Sequence, residues 1–330
     1  MRAAWYDEQG PAAEVLRVGD LPAPEPGVGE VRVRLHVSGI NPGDTKKRVD
    51  RFGLGMPFAR VVPHSDGSGV IESAGEGVDA GRVGQRVWVY GAQSYRPFGT
   101  AAELTAVPAE QAVELPEGVS DEVGACLGIP GITAHRAVFG DGPVTGTTVL
   151  VHGVLGGVGS LAAQLARWGG AEVIATVRRR SDIAAVDPIV ATHVVALDQP
   201  DTAAQVRGHA PDGVDRVIEV AFSDNVDLDA TVVADNAVIA AYGTREDRPA
   251  FPFRPLLWAN VTIRLLGSDD FPLAAKREAA SALTTAARDG ALSIRTAEPL
   301  PLDRIAEAHD RVDAGARERV LISLPLGDSR

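Results

Sequence analysis

Val149-Leu150-Val151-His152-Gly153-Val154-Leu155-Gly156-Gly157-Val158-Gly159-Ser160 is the stretch that decides the fold class of this chain. An apolar run, read as a strand over 147–152, passes into a glycine cluster that opens a helix. In that helix Val158, Leu161, Ala162, Leu165 and Ala166 recur at helical spacing. Glycines permit a tight turn and let the backbone approach a pyrophosphate. The helix N-terminus then offers unpaired N–H groups and a favourable dipole to the anion. The spacing Gly153-x-x-Gly156-x-x-Gly159 is a variant of the dinucleotide fingerprint. The strand-turn-helix context gives it a weight that a bare glycine run lacks. A tight turn that binds nothing is the alternative reading.

The end of the second strand, Glu172–Val177, is the next test. NAD-binding chains usually place Asp or Glu there, about 20 residues on, to bind the ribose 2′-hydroxyl. This chain has Arg178-Arg179-Arg180-Ser181. A guanidinium suits a 2′-phosphate through charge-assisted, bidentate bonds, so the expected cofactor is NADPH. At least one of the three arginines reads as a solvated loop residue, and Asp182 would favour NAD if it turned inward.

Outward from this centre, the pattern is of strands alternating with helices. Further strands are expected over 192–196, 214–220, 237–241 and 261–266, which implies a parallel sheet covered on both faces. Helices are expected over 121–126, 132–139, Leu273–Arg288 and 302–314, with a last strand over 320–324. The first 120 residues read differently. Val31-Arg32-Val33-Arg34-Leu35-His36-Val37 alternates apolar and polar, and short strands over 70–72 and 86–90 lie between Pro- and Gly-rich turns. Short strands at close spacing suggest a compact, barrel-like β domain.

Bulk properties bound the function. A chain of 330 residues exceeds what one core usually holds, so two domains are expected. Acidic residues outnumber basic ones 44 to 32, giving −12. That argues against nucleic acid or an anionic membrane as partner. No stretch of about 18 apolar residues occurs, and the N-terminus lacks a signal-peptide core. The lone Cys126 can form neither an internal disulfide nor a four-cysteine zinc site, which suits a cytoplasmic location.

Several segments together resemble the zinc-independent quinone oxidoreductases, the zeta-crystallin-like group of the medium-chain dehydrogenase/reductase superfamily. They are Pro22-Ala23-Pro24-Glu25-Pro26-Gly27-Val28-Gly29-Glu30-Val31, Ser38-Gly39-Ile40-Asn41-Pro42-Gly43-Asp44, Ser65-Asp66-Gly67-Ser68-Gly69-Val70-Ile71-Glu72, Pro130-Gly131-Ile132-Thr133-Ala134 and the glycine turn. The resemblance covers nearly the whole chain. It implies an α/β protein with a GroES-like β-rich catalytic domain (1–120 and 267–330) and a Rossmann doubly wound parallel-sheet domain (121–266) that binds NADPH. It further implies a homodimer and hydride transfer in a cleft between the domains. The cofactor contacts it implies are Gly153, Leu155, Gly156, Gly157, Val158, Gly159, Arg178, Arg179, Ser181, Tyr242 and Gly243, with Thr133 near the nicotinamide.

Related zinc alcohol dehydrogenases hold a catalytic metal through Cys, His and Cys or Asp. Here Asn41 occupies the first ligand position, and His64-Ser65-Asp66 replaces the Gly-His-Glu segment, so Ser65 stands where the histidine would. No close set of thiolate, imidazole and carboxylate is visible in the sequence, and no catalytic zinc is expected. His64 reads as a loop histidine.

The bound cofactor carries the bond-making chemistry, and the protein supplies orientation and electrostatics. Asn41 is the candidate for a hydrogen bond to the nicotinamide or the substrate carbonyl; a turn residue before Pro42 is the alternative. Two tyrosines frequent in this group after the Asn-Pro-x-Asp segment are replaced by Lys46 and Phe52. Lys46, Phe52 and Tyr95 are the expected substrate-cleft residues. Quinones, enones and enoyl thioesters would all accept the same hydride. A non-catalytic NADPH-binding protein is the reading from a different class.

Overall fold

The computed structural model describes residues 1–325. The chain divides into two compact units, one of Met1–Pro130 with the segment from Ile294 onward, the other of Gly131–Ser293.

In the first unit β1 (Arg2–Trp5) leads through the single turn α1 (Ala12–Val15) to an antiparallel partner, β2 (Arg17–Asp20). The long strand β3 (Glu30–Gly39) is the spine of this unit. Its Val31, Val33, Leu35 and Val37 are buried while Arg32, Arg34 and His36 are only half-buried, as the alternation requires. Arg32 and Arg34 reach across to Glu72 on the neighbouring strand. Two residues past the strand comes Asn41, the N-cap of the next helix, whose backbone N–H is held by Asp44 at 2.7 Å. Pro42 follows at the first helical position, where a missing N–H costs nothing, and α2 (Pro42–Arg48) begins. The strands β4 (Asp66–Ala74), β5 (Arg86–Val89), β6 (Leu104–Pro108) and β7 (Ala112–Glu114) complete this stretch, with the short α3 (Asp121–Gly124) after them.

The second unit starts in the first turn of α4 (Ile129–Phe139). Strands and helices then alternate: β8 (Thr148–Val151), α5 (Gly157–Trp168), β9 (Glu172–Val177), β10 (His193–Ala196), α6 (Thr202–His209), β11 (Val214–Glu219), α7 (Phe222–Val232), β12 (Val233–Ala241), α8 (Phe253–Trp258), β13 (Thr262–Leu265) and α9 (Leu273–Arg288). All six strands are parallel, in the order β10-β9-β8-β11-β12-β13. Sequence order reverses between β8 and β11, which is the topological switch of the dinucleotide-binding sheet. The helix α7, Phe222-Ser223-Asp224-Asn225-Val226-Asp227-Leu228-Asp229-Ala230-Thr231-Val232, carries little intrinsic preference and escapes sequence reading. Phe222, Val226 and Val232 hold it by burial in the core.

The chain returns to the first unit with β14 (Leu300–Pro301), α10 (Ile305–Asp313) and β15 (Leu321–Ser323). These complete a sheet in the order β14-β15-β3-β4-β5-β7, with β6 also on β3. The expected helix over 302–314 is a 3-10 turn, Leu302–Arg304, followed by α10.

The division falls after residues 130 and 293, not after 120 and 266 as expected. The helix α9 is the main difference. Its Leu283 side chain lies where a Cβ on Gly131 would meet it at 3.0 Å. Just beyond α9, Gln164 of α5 both donates to the Ser293 carbonyl and accepts its N–H, at 3.0 and 2.6 Å. Among the described residues no helix is long and apolar enough to cross a membrane.

Candidate active site

In the second unit the strand-turn-helix geometry is that of an anion cradle. Gly153 has φ +66°, a conformation that favours glycine, and its carbonyl accepts the Gly156 N–H at 2.9 Å. Gly156 caps α5. A Cβ on Gly159 would lie 2.4 Å from the Gly153 carbonyl oxygen, so the helix enters against the turn with no room for a side chain. The first turn of α5, with Gly157 and Val158 half-exposed, presents N–H groups that lack intrahelical acceptors. Leu155 is half-buried beside it. These residues fit a pyrophosphate.

Arg178, Arg179, Arg180 and Ser181 follow β9, and all four are exposed. The three guanidinium groups have no protein acceptor among the described residues, while the Arg180 backbone N–H donates to Asp198 at 3.1 Å. Asp182 lies in a 3-10 turn, Arg180–Ala185, with its N–H on the Arg179 carbonyl. Tyr242 and Gly243 follow β12. Gly243 presses on the Val220 backbone, since a Cβ there would lie 2.4 Å from the Val220 carbonyl oxygen. The Tyr242 phenol is pushed up by burial and then by the charge of Glu219. Thr133 is buried in α4.

In the first unit Asn41 belongs to a buried polar centre. Its Nδ2 donates to Asp66 Oδ2 at 2.7 Å, and its Oδ1 accepts from Arg319 Nη2 at 3.0 Å. A guanidinium can only donate, so Arg319 fixes which end of the amide is oxygen. The second Nδ2 proton makes no hydrogen bond among the described residues. Asp66 Oδ1 accepts the Ile129 N–H at 2.8 Å. Gly128 allows this approach, because a Cβ there would lie 2.1 Å from Asp66 Oδ1. Burial pushes the Asp66 carboxyl up to about 7, against the opposing pull of the Asn41 and Ile129 bonds and the Arg319 charge.

His64 is wholly buried at φ +75°. Its Nδ1 meets Ser38 Oγ at 2.8 Å and its Nε2 meets His309 Nε2 at 2.9 Å. The direction of this chain follows from its far end. Thr100 donates to the Asp66 carbonyl at 2.6 Å, so Ser38 donates to Thr100 and accepts from His64 Nδ1–H. His64 Nε2 is then the bare acceptor of a proton on His309. Burial, aided by the Arg319 charge, holds the His64 imidazole down at about 3, so the ring is neutral. Both of its nitrogens are engaged within the network. Ser65 is buried beside it. The Cys126 thiol is buried and raised, chiefly by desolvation, so it is no ready nucleophile.

The expected cleft residues all belong to this unit. Lys46 is exposed on α2, and Phe52 follows the helix, also exposed. Tyr95 is 71% exposed in a turn. Lys47 Nζ donates to Gln93 at 3.4 Å, tying α2 to that turn.

Residues 27–117 match the alcohol dehydrogenase GroES-like domain, and residues 157–279 match the zinc-binding dehydrogenase family. The quinone oxidoreductase of Rattus norvegicus is 33% identical over 250 residues, which cover 74% of each chain. This chain belongs to that quinone oxidoreductase family, within the medium-chain dehydrogenase/reductase superfamily. The quinone oxidoreductase of Homo sapiens is 29% identical and aligns over 98% of both chains. Mycobacterial Rv1454c complexed with NADPH superimposes with a TM-score of 0.83 at 27% identity, over 98% of this chain and all of that one. A solved NAD-dependent alcohol dehydrogenase gives 0.85 at 26% identity, over 98% and 100%. Chains named for either nicotinamide cofactor thus share the fold, and this quinone oxidoreductase relative is an oxidoreductase enzyme.

Sequence reading singled out the glycine turn, the arginines and Asn41 as candidates. It did not single out Arg319, which lies 278 residues from Asn41 in the chain. Asp66 was visible only as part of a family segment. It also passed over His152, Glu219 and Asp229, which the fold brings together.

Proposed function

We propose that this enzyme is an NADPH-dependent, zinc-independent reductase that transfers hydride to a quinone. The observation that carries the reading is the orientation of Asn41. With its oxygen turned to Arg319 and one N–H given to Asp66, it has a single donor left. A fixed N–H donor suits a carbonyl oxygen that gains negative charge during reduction. Gly153, Gly156, Gly157 and Gly159 would hold the pyrophosphate, and Arg178 or Arg179 the 2′-phosphate. The bound nicotinamide would supply the hydride. Thr133, Tyr242 and Gly243 would line its course, and water would supply any proton.

An enone or enoyl reductase is the second reading. Lys46 and Phe52 stand where related quinone reductases often have tyrosines, and the same Asn41 donor serves any conjugated carbonyl. The deciding experiment follows NADPH and NADH oxidation by absorbance with 1,4-benzoquinone, a naphthoquinone, an enone and crotonyl-CoA. Turnover is expected to be fastest with a quinone and to prefer NADPH. The double variant Arg178→Ala/Arg179→Ala should lower that preference by about 100-fold, the worth of one or two charge-assisted phosphate bonds. An unaltered NADPH/NADH ratio would overturn the phosphate role, and no oxidation of either cofactor with any acceptor would overturn the reductase.

The proposal includes a homodimer in the cytoplasm. β13 is an edge strand, and its Leu265 and Trp258 at the end of α8 are 76% and 75% exposed. An unpaired edge flanked by large apolar side chains invites a second copy. Light scattering should give twice the chain mass for the native protein and one chain mass for Leu265→Glu/Trp258→Glu. A native monomer at micromolar concentration would exclude it.

A further inference from the structure

A cluster of three ionisable side chains, His152, Glu219 and Asp229, takes no part in the hydride transfer proposed above. His152 follows β8 directly before Gly153, Glu219 ends β11, and Asp229 lies in α7. All three are wholly buried. His152 Nε2 is 2.9 Å from Asp229 Oδ1 and 3.6 Å from Glu219 Oε2. Two carboxylates beside one imidazole leave one acid more than a histidinium can balance. Among the described residues, Glu219 Oε2 and Asp229 Oδ2 have no hydrogen-bond partner, although both are buried. Buried polar atoms are rarely left so.

The surrounding bonds orient these groups toward one another. His152 Nδ1 meets Thr176 Oγ1 at 2.9 Å, which fixes the ring and aims Nε2 at the carboxylates. Glu219 Oε1 is taken by Asn225 Nδ2 at 3.1 Å and by the Ala221 N–H, leaving Oε2 for the cluster. Metal-ligating histidines and carboxylates are commonly held by such outer bonds. Ligands about 2.0–2.1 Å from a tetrahedral ion are about 3.3 Å apart. The two separations from His152 bracket that value.

We propose that His152, Glu219 and Asp229 form a structural site for one divalent cation of the zinc class. One imidazole nitrogen and two carboxylate oxygens in a buried enclosure suit zinc or cobalt. Magnesium and calcium want more oxygens and, for magnesium, retained water. The ion would neutralise both carboxylates and join the ends of β8 and β11 to α7, next to the glycine turn. It takes no part in the hydride chemistry, and the proposal stands whether or not the reductase reading holds.

The test uses the full chain, refolded with zinc chloride and separately with cobalt chloride, then passed through gel filtration. Elemental analysis should find about one zinc per chain. Cobalt should give the visible absorption of a low-coordinate nitrogen–oxygen site. Asp229→Asn keeps the shape but removes one anionic ligand, and it should retain under about 0.1 zinc per chain with an unchanged circular dichroism spectrum. Should that variant not fold, Glu219→Gln serves in its place. Zinc under about 0.1 per chain in the native sequence would overturn the site and leave a proton-sharing cluster. Equal zinc in native and variant chains would place the metal elsewhere and overturn it too.

Discussion

Gly159→Val is expected to weaken NADPH binding by at least about 100-fold, equivalent to about 2.7 kcal/mol. The reason is geometric. A Cβ on Gly159 would lie 2.4 Å from the Gly153 carbonyl oxygen, 2.9 Å from its carbon and 3.1 Å from the His152 carbonyl oxygen. All three are backbone atoms, so no side chain can rotate away. The start of α5 would have to move off the turn, and the N–H groups proposed to hold the pyrophosphate would move with it. Overpacking of this kind costs about 1–3 kcal/mol in stability as well. Gly156→Ala is the control. A Cβ there would meet only the Gly153 carbonyl oxygen, at 3.3 Å, and its φ of −88° suits any residue. Its affinity should fall far less. Calorimetric titration with NADPH checks both, with the melting temperature measured alongside. A Gly159→Val protein that binds NADPH like the native chain would remove the turn from the cofactor site.

Asn41→Ala is expected to lower kcat/KM by about 100-fold, the usual loss for one oxyanion donor. The effect should fall mainly on kcat, because the bond strengthens as charge develops on the substrate oxygen. NADPH affinity should be unchanged. Asp66→Asn would isolate the positioning of Asn41 from its donor role. It replaces the carboxylate that accepts from Nδ2 while leaving the Arg319 bond to Oδ1 in place. A smaller loss of kcat is expected there than in Asn41→Ala. Steady-state kinetics with a naphthoquinone measure all of these, and an Asn41→Ala enzyme within twofold of native kcat/KM would end the donor assignment.

What could be read from the chain before folding depended on distance along it. The turn at Gly153–Gly159 joins residues that touch because they are neighbours, and φ at Gly153 is a local matter. Helix α5, strand β9 and helix α9 are bounded as their apolar periodicity predicts, because the burial of one face sets both the period and the ends. The alternation along β3 was legible for the same reason. α7 was not, since three aspartates and an asparagine hide a helix that only its buried face stabilises.

By itself, then, the sequence determined the two kinds of domain, the dinucleotide turn and the identity of Asn41 as a candidate donor. Only the tertiary structure decided which way that amide points. Asp66 and Arg319 approach it from β4 and from the last segment of the chain, and no spacing rule links residues so far apart. Their meeting is a consequence of β4 and β15 both pairing antiparallel with β3, which set Asp66 and Leu321 each opposite Gly39. The same holds for the end of the nucleotide unit at residue 293, set by Gln164 closing on Ser293. It holds too for His152, Glu219 and Asp229, which the pairing of β8 with β11 and the packing of α7 bring into one buried cluster. Local conformation follows from neighbouring residues, whereas long-range contacts must overcome chain entropy and form only when the whole sheet supplies enough burial.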